Sequence, residues 1–363
     1  MSDNAKTPPE AAAPPAAKKP SAPFFLLQSS PHIASPVNAA ALMRNMLIAL
    51  SPVSVFGIVL FGLPALLNIV VAVFSAVAGE ALFRLATKQE IRTGDLSAGV
   101  TGLLLALVIP PSTPLWMTAL GAVFGVVVAK EFFGGLGANV FNPALIGRAF
   151  LLMSFPAALT RWHPPGRGFV PGLADATSGA TPLAIVGAEG IDGLGRVFTA
   201  EGLSSSASYR SIIKTLFFGY HSGCTGEAAI FLILAAFVFL LITKTIDWRA
   251  PVSMIAAALV GSFVLGLDPL FSVLSGGLVF GAVFMATDYV TAPLTAKGKV
   301  IFGIGAGLIS ILIRKWGTYP EGVSYAILIM NGTVPFLNKL LPKKYGFVPK
   351  KKTMPTQTPA KEP

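Results

Sequence analysis

Thr101-Gly102-Leu103-Leu104-Leu105-Ala106-Leu107-Val108-Ile109-Pro110-Pro111 is an apolar run stopped by two prolines. A membrane-crossing helix needs about 20 apolar residues, and this run is shorter. Proline removes a backbone donor and ends a helix, so the stretch reads as a broken or re-entrant span. Irregular backbone survives at membrane depth only where it is buried in protein or lines a cavity. A similar run recurs late in the chain, from Ser275-Gly276-Gly277-Leu278-Val279-Phe280 through Pro293. The segment Asn139-Val140-Phe141-Asn142-Pro143 likewise has a counterpart in Asn331-Gly332-Thr333-Val334-Pro335-Phe336. Paired interruptions in two halves of a chain are the usual pointer to an inverted repeat with a site near the midplane.

Composition agrees. Of 363 residues, 53% are hydrophobic and 12% charged, against about 25% charged in a soluble domain. The mean hydropathy is +0.72. The fold class expected is an all-α polytopic membrane protein. About ten transmembrane helices form two inverted five-helix repeats, with an outer loop region between them. The spans fall near 43–62, 65–84, 96–111, 114–132, 140–155, 227–243, 251–267, 270–287, 299–314 and 321–340. The regions are a disordered N-terminal tail (1–40), a first membrane half (41–155), an outer loop (156–226), a second half (227–341) and a C-terminal tail (342–363).

The net charge of +11 does not indicate nucleic-acid binding. Lys18, Lys19, Lys343, Lys344, Lys350, Lys351 and Lys352 lie in the two tails, as expected of basic segments held on the cytoplasmic side of a lipid bilayer. Arg84, Lys88 and Arg92, then Lys130, Lys244, Arg249, Lys297 and Lys299 fall in loops on that same side. The stretch 156–226 also carries cations, but long loops cross regardless of charge. This places both termini in the cytoplasm and 156–226 outside. One cysteine, Cys224, cannot build a disulfide or an iron–sulfur cluster, and the three histidines show no metal-ligand spacing. Redox chemistry would need an organic cofactor or a site shared with partners.

Within the outer loop, Asp175-Ala176-Thr177-Ser178-Gly179-Ala180-Thr181-Pro182-Leu183 surrounds one hydroxyl with small residues. Thr181 is neither apolar filler nor an obvious helix cap, and Pro182 biases it away from helix. The alternative is an ordinary exposed turn. In the broken fifth span, Asn139 and Asn142 lie three apart, on one face if the helix holds. Their amides offer donors and acceptors that suit either a bound polar ligand or the capping of a helix. Arg148 sits mid-way along the same span, where an idle charge is rare. Glu80 and Arg84 read as a pair snorkelling to water, Lys130 and Glu131 as an interfacial pair. Cys224 reads as structural, with Glu227 in the first turn of the sixth span.

The run Ser178-Gly179-Ala180-Thr181, preceded by Asp175, resembles the flavin-attachment motif of the RnfD family of membrane subunits from Rnf electron-transport complexes. That family is related to the flavin-bearing membrane subunits of the sodium-pumping NADH:quinone reductase. The resemblance covers roughly 30–340. It takes in Ser30-Pro31-His32, the segment from Gly135 to Ala144, Gly147-Arg148-Ala149-Phe150 and Met285-Ala286-Thr287-Asp288. It implies FMN joined to Thr181 by a phosphodiester bond and attached by a separate flavin transferase. It also implies a non-covalent riboflavin within the bundle, for which Asn139, Asn142 and Asp288 are the candidates, the amides suiting the edge of an isoalloxazine ring; Arg148 beside a flavin would favour its anionic reduced form. The implied setting is a bacterial inner-membrane complex whose other subunits couple ferredoxin and NAD redox to ion translocation. A solute transporter with inverted repeats would explain everything except Ser178–Thr181, and a quinone-reductase subunit would share the cofactors.

Overall fold

In the computed structural model, residues 38–91, 93–162, 165, 181–200, 208–317 and 321–339 are described. Both tails lie outside these residues, as do Asp175, Ser178, Gly179 and Ala180. The first half runs through α1 (Ala39–Phe61), α2 (Leu63–Ala86), α3 (Ser97–Val108), α4 (Leu115–Ala129) and α5 (Pro143–Ser154). The stretch between the halves holds α6 (Pro156–Leu159), α7 (Pro182–Ala200) and α8 (Tyr209–Phe218). The second half continues with α9 (Ile230–Ile242), α10 (Arg249–Val264), α11 (Pro269–Leu274) and α12 (Leu278–Phe280). A π turn at Gly281–Met285 then leads to α13 (Ala296–Trp316) and α14 (Val323–Asn338).

The protein is an all-helical membrane protein. Four helices, Ala39–Phe61, Leu63–Ala86, Leu115–Phe133 and Ala296–Trp316, are long and apolar enough to cross a bilayer. Large apolar side chains point away from the bundle, as lipid-facing residues must; Phe74 is 72% exposed and Phe263 77%. The remaining apolar helices are shorter than a span. The twelve residues of α3 rise only roughly 18 Å at 1.5 Å each.

Lipid offers no hydrophobic drive between helices, so packing rests on close backbone approach at small residues. Here α2 closes on α3 at Gly102, where an added Cβ would lie 2.6 Å from the Ala72 carbonyl oxygen. Similarly, α4 meets α5 around Gly125 and Gly147, and α10 meets α13 around Gly303 and Gly307. The order of packing repeats between halves. Thus α2 packs on α3 and α4, and α4 on α5; α10 packs on α11 and α13, and α13 on α14. Between the halves, α1 lies against α9.

Each half contains a broken helix, and at each break several of the freed carbonyls find partners. At the end of α3, Gly226 N donates to Leu107 O (2.7 Å) and Cys224 Sγ to Val108 O (3.1 Å). From α2, the Asn68 amide donates to Pro111 O at 2.8 Å. In the second half, the carbonyls of Ser272, Ser275 and Gly276 all accept from the Arg314 guanidinium. Buried peptide groups need such partners, and the two halves supply them from different chemistry.

Several expectations are corrected. The fifth span is not helical at Asn139: α5 starts at Pro143, so the two asparagines do not share a helical face. Asn142–Pro143 opens a helix, whereas Asn331 and Pro335 lie inside α14, so those two segments are not structural counterparts. Glu227 is outside the first turn of α9; its carboxylate folds back to accept from Cys224 N at 2.7 Å. Glu80 and Arg84 do not snorkel, and Lys130 and Glu131 are not interfacial. All four are buried in one network: Lys130 Nζ meets Glu80 Oε1 at 3.1 Å and Arg84 Nε meets Glu131 Oε2 at 3.0 Å.

Candidate functional site

Two cavities lie at opposite ends of α3. The inner cavity encloses about 630 Å³ of empty space, counting the part open to solvent. Its walls bring together Asn139 and Asn142 from the approach to α5, Asp288 from beyond the π turn, and Ser97 and Thr101 from α3. Met46, Leu104 and Phe284 supply apolar surface. The three residues singled out for a buried flavin thus meet in one place, although Asp288 is far from the asparagines in sequence.

Their polar atoms are only partly spent. Asn142 is the N-cap of α5: its Oδ1 accepts from Ala144 N (3.0 Å) and Leu145 N (3.4 Å), while its Nδ2 makes no hydrogen bond among the described residues. Asn139 Nδ2 donates to Phe141 O at 3.3 Å, and its Oδ1 is buried with no partner among those residues. A buried acceptor left unsatisfied costs about 1–3 kcal/mol, so its presence here fits a ligand that donates to it. Asp288 anchors its own turn, accepting from Val290 N (3.3 Å) and Thr291 Oγ1 (3.0 Å). An amide acceptor, an amide donor and a carboxylate thus stand among apolar walls, a set that could hold a ligand with a polar edge and flat apolar faces.

Thr245, Ile246, Thr287 and Tyr289 also wall a neighbouring vestibule of about 530 Å³. Asp247 and Lys299 line it and pair at 3.0 Å. Burial pushes the Asp247 carboxyl up, but the Arg249 amide and the Lys299 ammonium outweigh it and hold the carboxyl below its usual range.

The outer cavity, about 330 Å³, contains Arg148 rather than the asparagines. Arg148 Nη2 meets Glu321 Oε2 at 2.6 Å, and Nη1 donates to Ser324. Cys224, Glu227, Gly276 and Gly277 line the same space. Burial pushes the Cys224 thiol well up, so it stays protonated and donates to Val108. Sequence reasoning did not find Glu321; only its position after α13 in a Pro-Glu-Gly turn marked it.

Thr181 belongs to this outer end, and its setting corrects both sequence readings of it. It is neither free of a capping role nor in an exposed turn. It is 5% exposed and caps α7, with Oγ1 accepting from Ala184 N at 3.2 Å. Pro182 supplies the first helical residue, where its missing N–H costs nothing. Leu183 then joins a small apolar cluster with Ile212, Leu216 and Phe271, which ties α7 to α8 and α11. Gly276 of the second break lies against Leu183 and Arg314.

Fold and sites together define a membrane protein built on paired broken helices, with a cavity lined by Asn139, Asn142 and Asp288 towards one end of α3 and a capped threonine beyond the other. The chain belongs to the NQR2, RnfD, RnfE family, whose model matches residues 26–346. It is similar to the D subunit of the proton-translocating ferredoxin:NAD(+) oxidoreductase complex of Clostridium ljungdahlii, 39% identical, covering 89% of this chain and 96% of that one. It is also similar to the D subunit of the Na(+)-translocating ferredoxin:NAD(+) oxidoreductase complex of Acetobacterium woodii, 38% identical over 90% of this chain and 96% of the relative. The D subunit of the ion-translocating oxidoreductase complex of Stutzerimonas stutzeri is 36% identical over 84% and 91%.

Proposed function

We propose that this chain is the RnfD-type membrane flavoprotein of an ion-translocating ferredoxin:NAD oxidoreductase. In this reading it relays electrons between FMN esterified to Thr181 and riboflavin in the inner cavity. The observation that carries it is Thr181 itself: the last residue of a Ser-Gly-Ala-Thr run, buried and capping a helix. The names of the relatives favour this over a quinone-reductase subunit or a solute transporter.

Flavins supply the one- and two-electron chemistry that side chains lack. Each protein group then has a task. The Thr181 oxygen, which accepts from Ala184 N, would become the ester link, and its place at the N-terminus of α7 favours an anionic phosphate. The α7–α8–α11 cluster fixes that point beside the second break. In the inner cavity Asn139 Oδ1 would accept from the ring and Asn142 Nδ2 donate to it, while Phe284 and Leu104 exclude water from its faces. The inner cavity runs along α3 from Ser97 to Leu104, and the outer one begins at Leu107. In this reading the inner cavity lies near the cytoplasm and Thr181 on the periplasmic side of the inner membrane, as the cations of the loops favour. A flavin transferase performs the attachment, and the remaining subunits of the complex complete the electron path.

The test is in-gel ultraviolet fluorescence of the denatured chain co-produced with a flavin transferase. Fluorescence that disappears in Thr181→Ala is the expected result. A dark wild-type band, or a fluorescent Thr181→Ala band, would refute covalent attachment at this residue.

A further inference from the structure

We propose that Lys130 sets the reduction potential of the flavin in the inner cavity, a role that rests on the reading of that cavity as the riboflavin site. Lys130 is the C-cap residue of α4 and is 2% exposed. Lysine is almost never fully buried unless paired. Its ammonium is fixed by Glu80 Oε1 at 3.1 Å and by Ser97 Oγ at 2.5 Å, and Glu131 Oε1 stands 4.0 Å away. Two acids and two bases make the network of Glu80, Arg84, Lys130 and Glu131 neutral as a whole. The members are not equivalent with respect to the cavity. Arg84 is turned to Glu131 and to the Glu90 carbonyl, whereas Lys130 is the member that lines the cavity wall, beside Asn139 and Asn142.

The cavity wall also holds an acidic side chain. Asp288 lines the same cavity and makes no ion pair among the described residues; its oxygens are held by its own turn. A lysine and a carboxylate therefore look into one space without meeting. A ring lying between them feels both, in a site where burial makes charges act more strongly than in water. Reduction places negative charge on a flavin. The ammonium lowers the free energy of that charge and the carboxylate raises it. Because Glu80 and Ser97 clamp Nζ, the cation is held in place before any electron arrives.

A purely structural lysine, neutralising Glu80 and ending α4, would change the binding of oxidised and reduced flavin alike and leave the potential unmoved. The experiment separates the two roles. The full-length chain carrying Thr181→Ala, and so lacking covalent flavin, is purified in detergent and loaded with riboflavin. Its potential is then read by spectroelectrochemistry, the electrode supplying the electrons. Lys130→Met is expected to lower the equilibrium constant for one-electron reduction about tenfold, a fall of about 59 mV. Lys130→Arg is expected to restore most of it, and Asp288→Asn to shift the potential upward. Riboflavin bound by Lys130→Met at an unchanged potential overturns the proposal and leaves the cavity assignment standing. A chain that binds no riboflavin, or binds it equally well as Asn139→Ala, overturns the assignment itself. Should Lys130→Met bind none, Glu80→Gln decides: it leaves the ammonium less compensated and must raise the potential, and an unchanged value overturns the proposal.

Discussion

At the outer end of α3, Arg148, Arg314 and Glu227 each have a partner inside the protein. Arg148 is taken by Glu321 and Ser324, Arg314 by three carbonyls of the second break, and Glu227 by the Cys224 amide. At the inner end, Asn139 Oδ1 has no partner and Asp288 no cation among the described residues. The outer cavity is about half the size, 330 Å³ against 630 Å³. Intramembrane charge thus serves two ends here. Outside, it closes the interrupted backbone and joins the halves. At the inner end Lys130 and Glu80 are paired as well, but the cavity beside them holds Asn139 Oδ1, a buried acceptor with no partner among the described residues.

The largest effect expected from this contrast is at Arg148–Glu321, whose side chains are 11% and 13% exposed. Removing one partner of a buried pair strands the other, at a cost of about 3–5 kcal/mol. Arg148→Met should therefore lower the thermal midpoint of the detergent-solubilised protein sharply. Arg148→Met with Glu321→Gln should recover part of the loss, because the stranded charge is gone. Riboflavin affinity should stay near wild type in whatever remains folded. A variant that keeps its midpoint but loses riboflavin would erase the division between the two cavities.

Next comes the backbone closure of the first break. A Cβ on Gly226 would lie 2.7 Å from Leu107 Cβ and 2.9 Å from Leu107 O. Those atoms must then separate, and the Gly226 N to Leu107 O bond lengthens. Gly226→Ala should cost about 1–3 kcal/mol, the range for overpacking. Hydrogen exchange at the Gly226 amide is the local readout, and unchanged protection would contradict the closure.

The two asparagines should part company. Asn142 has a structural duty, and Asn142→Ala should lose the cap, about 1 kcal/mol of stability. Asn139 has an unpartnered oxygen, so Asn139→Ala should leave the empty protein as stable as before while weakening riboflavin binding about tenfold, the value of one good hydrogen bond. Thermal melts with and without riboflavin read both numbers; Asn142→Ala should lose some riboflavin affinity as well, through its Nδ2, and an Asn139→Ala protein that binds riboflavin like the wild type would show that its oxygen does not face the ligand.

How far this contrast could be read in the sequence depended on the range of the interactions. Proline and glycine act on their own neighbours, so the break after Val108 and the start of α5 near Asn142–Pro143 were legible. The Ser-Gly-Ala-Thr run marked Thr181, but α7 itself was missed: its glycines and acidic residues mask a helix whose apolar side is needed only against α8 and α11. Charge partners were hidden more completely. Glu80 and Arg84 are four residues apart and looked self-sufficient, yet Lys130 reaches Glu80 across 50 residues. Arg148 finds Glu321 across 173. Nothing local encodes those separations; they follow from which helices the small-residue faces bring together.

The smallest effect concerns the outer helices that carry Thr181. Tyr209 of α8 donates its hydroxyl to Asp268, at 3.0 and 2.9 Å from the two carboxylate oxygens, and so links α8 to the N-cap of α11. Burial, with the hydrogen bond to Asp268 and its negative charge, pushes the tyrosine up to about 12. A free tyrosine ionises near 10. The folded state thus holds this proton more tightly than the unfolded chain. The link contributes in full below about pH 10 and fades as pH rises towards 12. Since Tyr209 is 42% exposed, the contribution is small. Tyr209→Phe should leave the inner cavity and its riboflavin unaffected and produce a slight loss of stability at pH 8 that vanishes by pH 12. Thermal midpoints of the two proteins across that interval give the comparison. A difference that grows with pH would mean that the ionised phenol, not the neutral one, is what α11 recognises.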